Sequence, residues 1–99
     1  MIRFAIYRLR GREAMVCRIQ TDLGAATPFV LCAPVMPRGV WGKPVPGLHL
    51  PVAVDGGDYL IIMSQMLALS PYDLGAMVGD AASHRDAIVR AVDLLVTGF

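Results

Sequence analysis

The apolar positions in the first third of the chain alternate as they do in β-strands. Three such segments are separated by turns that carry glycine and polar residues. A period of two, bounded by turns of this kind, predicts antiparallel strands joined as hairpins. The predicted strands cover residues 2–9, 15–20 and 29–33, and the turns cover residues 10–13 and 21–24.

The middle of the chain is rich in proline and then carries the clearest hairpin pattern. Five of the seven prolines lie within residues 34–51. Proline lacks the N–H that a strand ladder needs, so we predict irregular structure or an edge strand there. Residues 51–63 read as two strands around Asp-Gly-Gly-Asp, since Asp-Gly and Gly-Gly supply the positive φ of tight hairpin turns. Residues 66–71 read as extended, and two glycines in residues 72–82 predict a loop or a ragged helical turn.

The last part of the chain, residues 83–96, has the apolar spacing of an amphipathic helix. Ser83 is the predicted N-cap, with Asp86 three residues later as a capping-box acid and as an i,i+4 partner of Arg90. The pattern as a whole predicts a mostly β (α+β) protein with one C-terminal helix. The apolar positions at three- and four-residue spacing, predicted to form its buried stripe, are Ile88, Ala91, Val92 and Leu95.

Composition adds an expectation about assembly and location. The chain has 99 residues, which predicts one domain over residues 1–99, and 56% of them are apolar while 17% are charged. Either two copies pair through an apolar face as a homodimer, or a dense core carries an unusually apolar surface. No apolar run reaches the roughly 18–20 residues that span a bilayer, and the N-terminus does not read as a signal peptide. We therefore expect a cytoplasmic protein with no membrane partner.

Charge is distributed unevenly along the chain. Residues 1–50 contain seven bases and two acids, whereas residues 51–99 contain two bases and six acids. Three of the bases, Arg8, Arg10 and Arg12, surround the first predicted turn. They are either part of a well-solvated surface or a basic edge that receives an acidic peptide or nucleic acid.

Candidate catalytic chemistry is sparse. His49 and His84 belong to no metal-binding or nucleophile motif, and no nucleotide-binding glycine pattern is present. Cys17 and Cys32 lack metal-ligand spacing and are expected to be small buried apolar residues rather than a disulfide or a reactive thiol. We predict no metal, no cofactor and no catalytic residue. A nuclease built on the arginines of the first turn stays open, although a binding protein is favoured.

Several short motifs, in order and over nearly the full length, resemble the CcdB family of bacterial toxin–antitoxin systems. The chain opens with a Met-x-x-Phe-x-x-Tyr strand, and a second block runs from Pro51-Val52 through Met63-Ser64 and Pro71. The motifs that are most specific to the family are Ser83-His84-Arg85 at the helix start and Gly98-Phe99 at the end.

The resemblance implies an SH3-like barrel of antiparallel strands with a C-terminal helix, assembled as a homodimer. It also implies a non-enzymatic toxin that traps DNA gyrase on cleaved DNA by binding its A subunit through the end of the helix. A cognate antitoxin with a disordered, acidic tail would neutralise it at Arg8, Arg10 and Arg12, and operator DNA would be bound for transcription regulation only through that antitoxin. The alternatives are an endoribonuclease of the MazF/PemK kind, which shares this barrel, and a gyrase-inactive homologue that keeps antitoxin binding and autoregulation.

Carried over position by position, the gyrase-binding residues change their character. Asp93 stands where the family has an asparagine, Val96 where it has a phenylalanine, and Thr97 where it has a tryptophan. A tryptophan is the type of residue that dominates an interface, so its absence weakens the expected contact unless Phe99 takes its place. The gyrase-binding positions implied by the resemblance are Leu23, Asp93, Val96, Thr97, Gly98 and Phe99.

Overall fold

The computed structural model describes residues 2–22 and 27–98, and most of them lie in antiparallel strands. This confirms the prediction of a mostly β protein with one C-terminal helix. Three single 3-10 turns, Met63–Gln65, Pro71–Asp73 and Ala82–His84, connect the later elements. In chain order the strands and helices are β1 (Ala5–Leu9), β2 (Met15–Arg18), β3 (Val30–Pro37), α1 (Arg38–Trp41), β4 (His49–Val54), β5 (Gly57–Ile62), β6 (Leu67–Leu69), β7 (Leu74–Asp80) and α2 (Arg85–Thr97).

The strands form a single curled sheet in the order β4-β5-β3-β2-β1-β7, with β6 paired to the first part of β3. Every pairing is antiparallel. The curl brings the two outer strands, β4 and β7, towards each other. A Cβ atom built on Gly79 of β7 would lie only 3.7 Å from Val54 Cγ1 of β4. The sheet is therefore a half-barrel. None of the helices in the described ranges is long and apolar enough to cross a membrane.

The β4–β5 hairpin has the turn that its sequence predicts. Asp55 and Gly56 are the two turn residues, with φ of 49° and 78°. Two consecutive positive φ values define the hairpin turn whose twist matches the flanking strands. The first strand is shorter than predicted. It begins at Ala5 and not at residue 2, because Phe4 has φ of 67°, which is outside the β region.

The prediction of irregular structure or an edge strand for residues 34–51 is confirmed from residue 42 onward, where an irregular segment leads into the edge strand β4. It is wrong at its start, because β3 continues through Pro34 to Pro37. On one side of β3 the partner strand changes at this point. Cys32 is the last residue opposite β6 and Val35 is the first opposite β5. Pro34 falls between the two ladders, where no partner strand requires an N–H. A central strand therefore accommodates a proline.

The prediction of a loop or ragged helical turn at residues 72–82 is also wrong, because these residues contain β7. Gly75 and Gly79 were interpreted as loop residues, but each is required by close packing. A Cβ atom on Gly75 would lie 2.8 Å from Arg8 O, and one on Gly79 would lie 3.4 Å from Ile6 Cδ1. Glycine here allows β7 to approach β1 closely. Within strands, glycine marks either a bend or a close approach of another backbone, and here it marks the close approach.

Both faces of the sheet bury apolar side chains. Alternate residues of β1 illustrate this, since Ile6 belongs to the main core while Ala5 and Tyr7 belong to a smaller cluster on the opposite face. The main core is covered by α2, whose Ile88 and Ala91 are fully buried in it.

The helix itself differs from its prediction at both ends. Ser83 lies in a 3-10 turn and is not the N-cap; instead Asp80 Oδ1 accepts the Ala82 N–H at 2.8 Å. Asp86 Oδ1 lies 3.8 Å from Arg85 Nη1, and the predicted ion pair between Asp86 and Arg90 is not formed. Leu95 was predicted to be buried and is 40% exposed. Val92 is the last described residue of the helix that packs against the main core.

Candidate functional site

The end of α2 extends beyond the core and exposes consecutive apolar side chains. Ile88 and Ala91 are buried, whereas Leu94, Leu95 and Val96 are 41%, 40% and 75% exposed. Exposed runs of apolar residues are uncommon on soluble proteins unless they contact a partner. We refer to Asp93–Gly98 as the tail, and it is the first candidate functional site.

Hydrogen bonds close the backbone of the tail at Gly98. Gly98 has φ of 80° and its N–H donates to Asp93 O and Leu94 O, at 3.2 and 3.1 Å. The Thr97 hydroxyl also donates to Asp93 O, at 2.7 Å. A left-handed glycine with such bonds is a common helix terminus, and it satisfies carbonyl groups that would otherwise lack a partner. The tail is therefore a helical turn closed at Gly98, and it presents its side chains to solvent.

The structure brings four of the six predicted gyrase-binding positions together on this last turn. Asp93, Val96, Thr97 and Gly98 are all exposed. Leu23 and Phe99 lie outside the described residues.

A loop under α2 supports the start of the tail. A Cβ atom on Gly47 would lie 3.8 Å from Leu94 Cδ2, and a cavity of about 290 Å³ separates this loop from the helix beside Arg90. His49, which is buried, ties the loop down. Its Nδ1 accepts the Val45 N–H at 2.8 Å. Because a backbone N–H can only donate, the proton of a neutral ring lies on Nε2, which is 3.0 Å from Ser64 Oγ.

We refer to the two hydrogen bonds of the His49 ring, with the Val45 N–H and with Ser64 Oγ, as the His49 clasp. The sequence did not predict it, because His49 belongs to no motif and its two partners lie 4 and 15 residues away in segments without a helical pattern. His49 therefore has a structural role next to the tail.

The three arginines of the first hairpin form a second candidate site. Arg8 Nη1 lies 3.1 Å from Glu13 Oε2, and Arg10 Nε donates to Tyr72 O at 2.8 Å. The Arg12 side chain is exposed and makes no hydrogen bond or ion pair with any residue that the structure describes, although its backbone N–H donates to Leu9 O at 3.0 Å. The three side chains surround a hollow of about 470 Å³ between the hairpin and β7. The sequence places these arginines at one turn, but the hydrogen bond from Arg10 to Tyr72 joins parts of the chain that are 62 residues apart.

The cysteines are buried on opposite faces of the sheet. Cys17 belongs to the main core and Cys32 to the smaller cluster. Cys32 is paired with Arg18, and Arg18 and Cys17 are neighbours in β2, whose side chains alternate between the two faces. Burial raises the pKa of Cys17 to about 12 and that of Cys32 to about 11. Both thiols therefore stay protonated at neutral pH and are poor nucleophiles.

No group of three His, Cys, Asp or Glu side chains within residues 2–22 and 27–98 is arranged to hold a metal ion.

Comparison with known proteins identifies the family. No curated protein matches the chain. The family described as CcdB protein matches residues 3–98 of the 99-residue chain. Since the match spans the whole sheet and the tail, the chain belongs to the CcdB family, and this membership supports a toxin of a toxin–antitoxin system.

Proposed function

We propose that the protein is a non-enzymatic toxin that poisons DNA gyrase by docking its tail on the A subunit. Leu23, Asp93, Val96, Thr97, Gly98 and Phe99 would form the contact surface. The observation that supports this most strongly is the exposure of Leu94, Leu95 and Val96 at the helix end. A backbone that is already helical loses less conformational entropy on binding than a disordered segment does.

The antitoxin is proposed to bind at the first hairpin. A disordered acidic tail would pair with Arg8, Arg10 and Arg12, and opposite charge would speed and orient its association. Operator DNA would be bound only through the antitoxin, which fits a role in autoregulation in the cytoplasm. The exposure of large apolar side chains away from the tail supports a homodimer, since Val40 and Val45 are 69% and 47% exposed in one copy.

A gyrase cleavage assay with two matched variants tests the target. Val96→Asp places a charge on the tail, and Val40→Asp places the same charge on α1 at a valine that is similarly exposed, at 69% against 75%. We expect the purified protein to stabilise cleaved DNA, Val96→Asp to lose this effect by at least about tenfold, and Val40→Asp to keep it. Deletion of Gly98 and Phe99 should abolish it. Absence of cleavage complexes at high concentration of the unmodified protein would refute gyrase as the target.

Thr97→Trp tests whether the missing tryptophan matters. Thr97 is exposed, so the larger ring adds contact surface without disturbing the core. We expect about thirtyfold less protein to produce the same amount of cleaved DNA, since a buried aromatic anchor contributes at least about 2 kcal/mol and about 1.4 kcal/mol corresponds to a factor of ten. Equal potency would mean that this position does not touch the target. The endoribonuclease alternative predicts RNA cleavage, which incubation with RNA tests directly.

A further inference from the structure

Two short segments of the chain lie against α2 outside the strands. One is the loop of residues 42–48, which we call the support loop, and the other is the 3-10 turn Met63–Gln65, which packs against the helix. The support loop meets the tail at a glycine, since a Cβ atom built on Gly47 would lie 3.8 Å from Leu94 Cδ2. Val92 is the last described helix residue that packs against the main core. The contact of Leu94 with the support loop therefore lies where the helix leaves the core.

The His49 clasp joins these two segments. The ring is buried and comes directly after the support loop, at the start of β4. Its Nδ1 accepts the Val45 N–H of the loop at 2.8 Å, and its Nε2 lies 3.0 Å from Ser64 Oγ of the turn. One side chain thus connects the segment that touches the tail to a second segment that packs against the same helix.

Three hydrogen bonds close the support loop around Gly47. Val45 O accepts the N–H groups of Leu48 and His49, at 3.1 and 3.0 Å, and the ring of His49 holds the Val45 N–H. Gly47 has φ of 84°, a value that glycine adopts without strain. Of the three bonds, the one to the ring is the bond that a side-chain substitution removes. His49 therefore controls how firmly Gly47 is held beside Leu94.

The His49–Ser64 pair also has the separation of a nucleophile and its general base. A base must accept the hydroxyl proton, which requires an unprotonated Nε2. In the neutral ring, however, Nδ1 accepts from a backbone N–H, so Nε2 carries the proton and donates to Ser64 Oγ. The pair is therefore arranged as a structural link and not as a catalytic dyad.

We propose that His49 is a positioning residue for the tail. By holding the support loop beside Leu94, the ring keeps the last turn of α2 in the orientation that docks on the target. Because this turn is helical, the exposed side chains of Val96 and Thr97 change direction together with Leu94. The inference rests on the proposed function, since it adds a residue that determines how well the proposed docking surface works.

The size of the effect follows from the fraction of molecules whose tail is correctly placed. The apparent affinity of a protein falls in proportion to the fraction that is competent to bind. A hydrogen bond of ordinary net strength shifts such a fraction by about three- to tenfold. Loss of the bond to Val45 should therefore weaken docking by about three- to tenfold, even in molecules that remain folded.

Two substitutions at His49 separate positioning from folding. His49→Asn provides an amide oxygen for the Val45 N–H, whereas the amide nitrogen of His49→Gln reaches Ser64 Oγ and leaves the Val45 N–H without its acceptor. Each keeps one of the two ring bonds, so their stabilities should be similar. Val16→Ala is the control for general destabilisation, because Val16 is buried in the smaller cluster on the opposite face of the sheet.

The experiment compares these full-length variants with purified gyrase, well below their melting temperatures. We expect His49→Ala and His49→Gln to need about three- to tenfold more protein for the same amount of cleaved DNA. His49→Asn and Val16→Ala should need less than about twofold more. Equal potency of the asparagine and glutamine variants, or a control as impaired as the glutamine variant, would overturn the proposal. So would labelling of Ser64 by a fluorophosphonate, since that reaction requires an activated hydroxyl.

An NMR measurement separates this inference from the proposed function. The nuclear Overhauser effect between the Gly47 α-protons and the Leu94 methyl groups should be retained in His49→Asn and weakened in His49→Gln. If no form of the protein affects gyrase, the proposed target falls, and this signal alone decides whether His49 positions the tail. If the unmodified protein poisons gyrase and both variants match it, the target stands and the positioning role falls.

Discussion

Removal of the His49 clasp should destabilise the loop beneath the tail by a predictable amount. His49→Ala leaves the Val45 N–H without its acceptor and the Ser64 hydroxyl without its partner on the ring. Val45 and Ser64 are both exposed, so water can replace the lost partner and each bond contributes only its net value of about 0.5–1.5 kcal/mol. We therefore expect a total loss of about 1–3 kcal/mol in the free energy of unfolding. For a domain of this size the melting temperature should fall by on the order of 10 °C.

Two conservative variants divide this loss between the two hydrogen bonds. The amide oxygen of His49→Asn can take the place of Nδ1 and accept the Val45 N–H. The amide nitrogen of His49→Gln can take the place of Nε2 and donate to Ser64 Oγ. Each variant should therefore recover about half of the stability that alanine loses.

Chemical denaturation and hydrogen exchange at the Val45 amide measure the two effects separately. The exchange of Val45 should accelerate in His49→Ala and His49→Gln and stay slow in His49→Asn. Equal exchange rates in the asparagine and glutamine variants, or an alanine variant within about 1 kcal/mol of the unmodified protein, would refute the clasp.

Other substitutions give further expected outcomes. Ile88→Ala should cost about 2–5 kcal/mol in chemical denaturation because Ile88 is fully buried, and Val96→Ala should change stability by less than about 0.5 kcal/mol because Val96 is exposed. Gly75→Ala should destabilise by more than about 2 kcal/mol, measured in the same way, because its Cβ would press on the backbone of the facing strand. Cys17 and Cys32 should react with a thiol reagent only on unfolding. Their pKa values are raised from 9.0 to about 12 and about 11, so the stability they contribute is present below pH 9 and is lost as pH rises towards 11–12. Alanine at both positions should flatten that alkaline loss in pH-dependent denaturation.

Local patterns predicted an element correctly where a tight turn or an apolar helix face was visible in the sequence, as in the β4–β5 hairpin and in α2. The turn at Asp55-Gly56 is an example, because positive φ at two successive residues leaves few alternatives. The same reasoning failed at Gly75 and Gly79. A glycine indicates either a bend or a close approach between backbones, and only the neighbouring strand distinguishes the two.

The candidate sites were predictable in composition but not in arrangement. The spacing of Leu95 with Ile88 predicts a shared helix face, yet periodicity does not state where the sheet beneath that face ends. Likewise the sequence placed Arg8, Arg10 and Arg12 at one turn, whereas the hydrogen bond from Arg10 to Tyr72 depends on the order of strands in the sheet. That order is set by long-range pairing, which local patterns do not encode.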